Sequence, residues 1–287
     1  LFCLSGIILR LAISNIAWSY EDRIEAYKIL YDSGIHGLEI APKLLFPNII
    51  DNKVNLLDHK AKAAFKELRD FQLELVSMQS LLYGVTDAKL FLDIEKSVIF
   101  DETLFSAIKL AGELGVTNLV FGSPDSRRIP NNMTDQEAYG VAIQRFNMLG
   151  DFAKINNTII SIEAAPDNHA RNFLHDTFEA LNFVKRLNHQ AVKLNLDLGI
   201  VYFLSEYEYI EKLIKDNISL IGHVHVSEPD LAPAPADLST TKNIFLILKQ
   251  AGYKKWISLE MKEYSTNSIE TLRVSANRLV EAFNLAD

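Results

Sequence analysis

Short runs of β-branched and other apolar residues alternate with longer segments of helical period from one end of the chain to the other. The pattern predicts strands over residues 11–15, 37–40, 74–79, 118–122, 159–163, 192–197, 221–226 and 256–261, each too short for a helix and rich in strand-favouring residues. Amphipathic segments over 21–33, 59–71, 101–114, 134–156, 176–187, 205–216, 240–251 and 268–285 predict the helices between and after them. Gly115 in GELG and Gly252 in KQAGY read as helix stops, and Asp101 before ETLF and Thr134 before DQEA as helix starts. Eight strands, each followed by a helix, is the count of a single (β/α)8 TIM barrel. An eight-strand doubly wound sheet meets the same count until the strand ends are considered. No linker, composition shift, low-complexity tract or short repeat divides the chain. The Pro/Ala-rich stretch over 229–237 falls between a strand and a helix and reads as a stiff loop. A single domain over 1–287 is expected, with residues 1–8 set apart as an N-terminal extension.

Parallel strands covered by helices should be apolar throughout, yet four of these break the rule at the same end. Residues two apart share a strand face, which pairs Ser161 with Glu163, Asn195 with Asp197, His223 with His225, and Ser258 with Glu260. The alternate positions, Ile160, Ile162, Leu194, Leu196, Val224, Val226, Ile257 and Leu259, are expected to face the helices. Gly222 falls on the same outer face, where a missing side chain would let a helix approach. In a barrel the polar face points inward and the strand ends open into the C-terminal mouth, where active sites lie. Glu163, Asp197, His225 and Glu260 should therefore converge. Three carboxylates and one imidazole suit Mn²⁺, Mg²⁺ or Co²⁺, and Zn²⁺ less specifically. Without a cation, three such carboxylates would repel one another and be costly to bury.

Composition narrows the partners. The 287 residues are 48% hydrophobic and 23% charged, which excludes disordered, collagenous and disulfide-stapled classes. With 29 Lys and Arg against 37 Asp and Glu, a formal charge of −8 and no basic run, the chain is a poor nucleic-acid binder; a small dissolved substrate fits better. Cys3 is a lone cysteine, which fits a reducing compartment. Arg10 interrupts the apolar opening well short of the ~20 residues of a membrane span, and no basic n-region or cleavage pattern marks a signal peptide. The expectation is a cytoplasmic protein without a membrane partner, its oligomeric state left open.

Other polar residues fall near the same mouth. Glu39 in GLEIAP and Gln79 in VSMQS end strands on the inner face, where they would meet substrate or brace the groups that do. His223 reads as a brace or substrate contact rather than a ligand. Glu228, just after HVHVS, is placed to bind a substrate hydroxyl or orient His225. Trp18 would either wall the site or pack. Arg127 and Arg128 in GSPDSRR could hold an anionic group.

Along LAISNIAW, GLEIAP, LVFGSP, SIEAAP, LNLDLG, HVHVSEP and ISLEMK, the chain resembles the sugar phosphate isomerase/epimerase superfamily, the xylose-isomerase-like TIM barrels. In the ketose epimerases of that group, the residues matching Glu163, Asp197, His225 and Glu260 bind one divalent metal; for this chain Mn²⁺ is the first expectation, with Mg²⁺, Co²⁺ or Zn²⁺ as alternatives. The two glutamates act as acid and base on opposite faces of the substrate carbon. The resemblance therefore implies a metal-dependent isomerase or epimerase of a sugar or sugar derivative, working through an enediolate formed by α-proton abstraction. A lyase that dehydrates a keto sugar or cyclic polyol would use the same groups. A barrel that binds a metabolite without turnover is the third reading. Two departures bear on specificity: Ile200 stands where the family often has a substrate-binding His, and Leu231 where ketose epimerases have an Arg. Glu39 and Gln79 end strands where endonuclease IV needs further His ligands, which argues against DNA repair.

Overall fold

The computed structural model describes residues 10–47, 49, 52–92, 94–166, 172–264 and 267–286; residues 1–8, read above as an extension, lie outside them. Eight parallel strands close in sequence order into a barrel: β1 Arg10–Ser14, β2 Gly37–Ile40, β3 Glu74–Met78, β4 Asn118–Phe121, β5 Ile159–Ile162, β6 Val192–Asp197, β7 Ile221–Val226 and β8 Trp256–Leu259. β1 closes the ring on β8, with Leu11 beside Ile257 and Ala12 beside Ser258. This is a single (β/α)8 TIM barrel, and the doubly wound alternative is excluded. Between and after the strands run α1 Arg23–Asp32, α2 Pro42–Leu45, α3 His59–Asp70, α4 Ile94–Leu114, α5 Asp135–Ile155, α6 Thr177–Leu187, α7 Leu198–Phe203, α8 Ile210–Asn217, α9 Leu238–Gln250 and α10 Ser268–Leu285.

The hydrophobic core lies between the barrel wall and the helices. All eight outward positions named for β5–β8 are buried, none more than 2% exposed. Burying a side chain of that size stabilises the fold by about 1.5–3 kcal/mol, which is why these apolar positions fix the strand faces. The barrel interior is different, holding Ser, Asn, Gln, Glu and His instead of aliphatic layers. Asn118 Nδ2 donates to Ser77 Oγ at 2.8 Å and Ser161 Oγ donates to Asn118 Oδ1 at 2.6 Å. Such linkage offsets the cost of burying polar groups.

Local signals set most boundaries. Thr134 caps α5 in a full capping box with Glu137. Gly115 and Gly252 adopt φ of +72° and +84° after α4 and α9, the left-handed conformation that suits glycine at a helix stop. Asp101 is not a helix start. α4 begins at Ile94, and Asp101 sits inside it with its carboxylate accepting from Arg145 Nη1 of α5 at 2.8 Å. A helix–helix ion pair had the appearance of a cap.

Gly222 also departs from expectation. Leu194 of β6 pairs with Ile221, but Asn195 pairs with His223, so Gly222 is the extra residue of a β-bulge and alternation fails there. A Cβ on it would point into the barrel, against Ser161 Oγ and 2.7 Å from Lys193 Cβ. The Pro/Ala-rich loop lies between β7 and α9 as expected, and Arg278 pins it by donating to the carbonyls of Pro235 at 2.8 Å and Ala236 at 2.6 Å.

Candidate metal centre

Glu163 follows β5 directly, Asp197 ends β6, His225 is the penultimate residue of β7, and Glu260 follows β8. Neighbouring strand ends in a closed barrel lie side by side, so the four side chains meet. His225 Nδ1 lies 3.1 Å from Glu260 Oε2, 3.4 Å from Glu163 Oε2 and 3.5 Å from Asp197 Oδ2. Oxygen and nitrogen ligands about 2.0–2.3 Å from a common ion stand roughly 3 Å apart when at right angles. Donors drawn from Glu163, Asp197 and His225 lie within 4.8 Å of one another. This oxygen-rich set with one nitrogen fits a divalent cation.

Three of the four donors, His225, Asp197 and Glu163, are held from behind. Glu39, fully buried, accepts from His225 Nε2 at 3.2 Å and lies 3.2 Å from His223 Nε2. An ionised carboxylate can only accept, so Nε2 of His225 carries hydrogen; Nδ1, which faces Glu163, Asp197 and Glu260, would offer its lone pair to an ion once the ring gives up its second proton. Gln79 Nε2 fixes Glu39 in turn, donating to Glu39 Oε1 at 2.8 Å and to Ser14 Oγ at 2.8 Å. Asp197 Oδ1 accepts from the Ile200 N–H at 2.7 Å and so caps α7, while Oδ2 accepts from Ser227 Oγ at 2.8 Å. Asn195 Nδ2 donates to Glu163 Oε2 at 2.7 Å and lies 3.2 Å from His225 Nδ1. The Glu163 carboxylate also rests over Gly122, where a Cβ would stand 2.6 Å from Oε1.

The field in this nest is uneven. Burial alone would raise the Glu39 carboxyl, but the charge of His225 and hydrogen bonds from both histidines hold it well below the usual range. Burial opposes charge on His225, yet Glu260, Glu39, Asp197 and Glu163 together raise it well above an ordinary imidazole. Burial pushes Glu260 up to about 7, against the pull of His225. Burial lowers His223, which Glu39 only partly offsets. A carboxylate trio thus gathers a proton onto one imidazole, the response expected where positive charge is needed.

A cavity of 740 Å³ opens above these groups, lined by Glu163, Asp197, Glu260, Gln79 and Glu228 among others. Of the residues expected to meet substrate, Gln79 and Glu228 stand on its wall; Glu228 Oε1 accepts from the Ala236 N–H at 2.7 Å. Glu39 and His223 lie beneath the floor as braces, 0% and 1% exposed. Trp18 takes its packing role, buried and edge-on to Tyr27 with centroids 6.3 Å apart. Arg127 is not an anion holder. It is fully buried, donating to the carbonyls of Glu163 at 2.7 Å and Phe121 at 3.2 Å, and it stacks on the Phe121 ring. Arg128 pairs with Asp125. Asn195 and Ser227 gained no role from the sequence. Alternation already places Asn195 on the inner face beside Asp197, but its partner Glu163 lies on another strand; Ser227 likewise acts across strands, which local pattern does not register.

The family model described as xylose isomerase-like TIM barrel matches residues 28–281. No curated protein matches the sequence. Among solved structures, the 3-keto-D-glucoside 4-epimerase of E. coli is similar at 18% identity and a TM-score of 0.70, over 93% of this chain and 97% of that one. The D-allulose 3-epimerase of Methylomonas sp., solved with D-allulose, is similar at 19% identity and 0.72, over 96% and 98%. The D-psicose 3-epimerase of Clostridium cellulolyticum H10, solved with D-tagatose, is similar at 16% and 0.73, over 97% and 98%. At these identities the likeness is one of fold.

Proposed function

Because the chain belongs to the xylose isomerase-like TIM barrel family, we propose that it is a divalent-metal-dependent isomerase or epimerase of a sugar or sugar derivative. One observation carries this reading: the carboxylates of Glu163, Asp197 and Glu260 gather on His225 Nδ1 at the barrel mouth, within 3.1–3.5 Å. Glu163, Asp197, His225 and Glu260 would hold the ion, with Mn²⁺ the first choice for such donors. When bound, it would polarise a substrate carbonyl and make the neighbouring C–H more acidic.

The residues of this chain do the rest. Glu163 and Glu260 reach the site from strands that are not adjacent in the ring, and both line the cavity. One carboxylate takes the α-proton to give an enediolate and the other returns a proton. Return to the opposite face of the same carbon inverts it; return to the adjacent carbon exchanges aldose and ketose. Burial pushes the Glu260 carboxyl up to about 7; beside a bound cation it would give up that proton and stand as a carboxylate able to accept one from substrate. Glu39 fixes the His225 tautomer, and Asn195 fixes the plane of the Glu163 carboxylate.

A dehydrating lyase is the second reading, favoured by Ile200 and Leu231 on the cavity wall, where polar groups would otherwise hold every hydroxyl. Incubation of Mn²⁺-loaded protein with ketoses, aldoses and cyclic ketopolyols in D₂O tests both. Deuterium at the α-carbon with retained hydroxyls supports the isomerase or epimerase, and loss of water supports the lyase. Absence of both exchange and water loss across the panel in metal-loaded protein would overturn both.

A further inference from the structure

Beyond Asp197 the chain enters α7 at once, and beyond β7 it makes the tight turn Pro229–Leu231; both segments line one side of the cavity. They come close because residue 199 is glycine. A Cβ there would lie 2.8 Å from the Glu228 carbonyl oxygen and 3.0 Å from Ser227 Oγ, and the Gly199 N–H donates to Ser227 Oγ at 2.9 Å. The joined wall presents Ile200, Phe203, Pro229 and Leu231 to the cavity. Two of these are kept there against ordinary preference. Phe203 is 47% exposed, and Leu231 has φ +53°, directly after Asp230 at φ +60°, a region that bulky residues seldom adopt. The turn is fixed by hydrogen bonds from the Leu231 N–H to the Glu228 carbonyl and from the Lys262 N–H to the Leu231 carbonyl, each 3.0 Å.

The charged residues of the lining are mostly acidic, set among neutral ones such as Leu82, Tyr83 and Val85. Among its described residues Asp125, Glu163, Asp197, Glu228, Asp230 and Glu260 face a single ammonium, Lys89, whose Nζ donates to the Asp125 carbonyl at 2.9 Å. A divalent ion neutralises only part of that charge, so the field still repels an anionic substrate. The volume of 740 Å³ lies well within the ~300–1,000 Å³ range of pockets that bury drug-sized ligands, which leaves room beyond a bare sugar.

Resting on the isomerase or epimerase reading, we propose that the substrate is an uncharged sugar derivative that carries an apolar substituent. That substituent lies against Ile200, Phe203, Pro229 and Leu231 while the carbonyl end faces Glu163 and Glu260. Calorimetric titration of Mn²⁺-loaded protein tests it with three probes: a ketohexose, its 6-O-benzyl ether and its 6-phosphate. The ether should bind at least tenfold more tightly than the parent, the gain from burying about two methylenes, with a more negative heat-capacity change. The phosphate should bind most weakly. In the double variant Phe203→Ser/Leu231→Ser the ether-to-parent ratio should fall toward one. An ether no tighter than the parent, or a phosphate tighter than both, overturns the proposal, as does a preference untouched by the double variant. Deuterium exchange on the same samples separates the two ideas. Exchange of the parent with no preference for the ether overturns the apolar subsite alone. A tenfold preference without exchange of any probe supports the subsite and overturns the isomerase or epimerase reading.

Discussion

Gly122→Ala places one methyl group where the structure leaves none. Gly122 follows β4, and a Cβ there would stand 2.6 Å from Glu163 Oε1 and 3.2 Å from its carboxyl carbon. Unbonded carbon and oxygen settle near ~3.5 Å, so the carboxylate must withdraw by roughly 1 Å. The backbone imposes no further penalty, since φ at Gly122 lies outside the left-handed region. The obstructing atoms end a flexible side chain, so the fold should yield easily and the melting temperature change little. The site should not yield easily: the withdrawn carboxylate loses the 2.7 Å hydrogen bond from Asn195 Nδ2 and leaves the group around His225 Nδ1. Misplacing a catalytic group by ~1 Å costs on the order of 10²-fold in rate. The assay is α-deuterium exchange at saturating Mn²⁺, with Mn²⁺ affinity and circular dichroism on the same samples. A folded variant should lose about 10²-fold in kcat/KM, and Gly122→Ala/Glu163→Asp, one methylene shorter, should recover part of it. Wild-type turnover and metal affinity in Gly122→Ala would refute the placement of Glu163.

Glu163→Gln and Glu260→Gln should each lower turnover by about 10²–10⁴ at metal saturation; full inversion in both would reduce them to ligands. Glu39→Gln removes the negative charge that faces His225 Nε2–H and turns one of two accepting oxygens into an NH2 donor; it should weaken Mn²⁺ binding about 10–100-fold, read by calorimetry. His225 and Glu260 both titrate higher in the fold than they would unfolded. In metal-free protein they therefore add stability that is full at pH below the unfolded values and is lost as pH rises through about 7 and above. The melting temperature in chelator should fall from pH 6.5 to 8, above which deprotonation of the buried Lys255, lowered to about 8, works in the opposite direction. With Mn²⁺ that fall should vanish, and proton release on binding should show in buffers of differing ionisation enthalpy; parallel pH curves with and without Mn²⁺ would contradict this.

The alternation of apolar and polar residues determined a great deal unaided. It gave the eight strands to within two residues at their ends, because a helix-covered parallel strand must be apolar on its outer face. A polar residue repeating every second position therefore has only the barrel interior to enter, which is why Glu163, Asp197, His225 and Glu260 could be singled out before any coordinates. The tertiary structure alone decided how those residues are held. Whether Gly222 faces out or in depends on pairing with β6, and the bulge between Leu194 and Asn195 turned it inward. Arg127 looked like a surface anion holder in its own segment, but the carbonyls it binds belong to Phe121 and Glu163, brought together by the β4–β5 pairing. Asp101 found Arg145 and Trp18 found Tyr27 by helix and loop packing. Glu39 and His225 are 186 positions apart in the chain, and only closure of the ring makes one the brace of the other. Local pattern fixes which way a side chain points along its own strand; its partners are fixed by which strands lie next to each other and in what register.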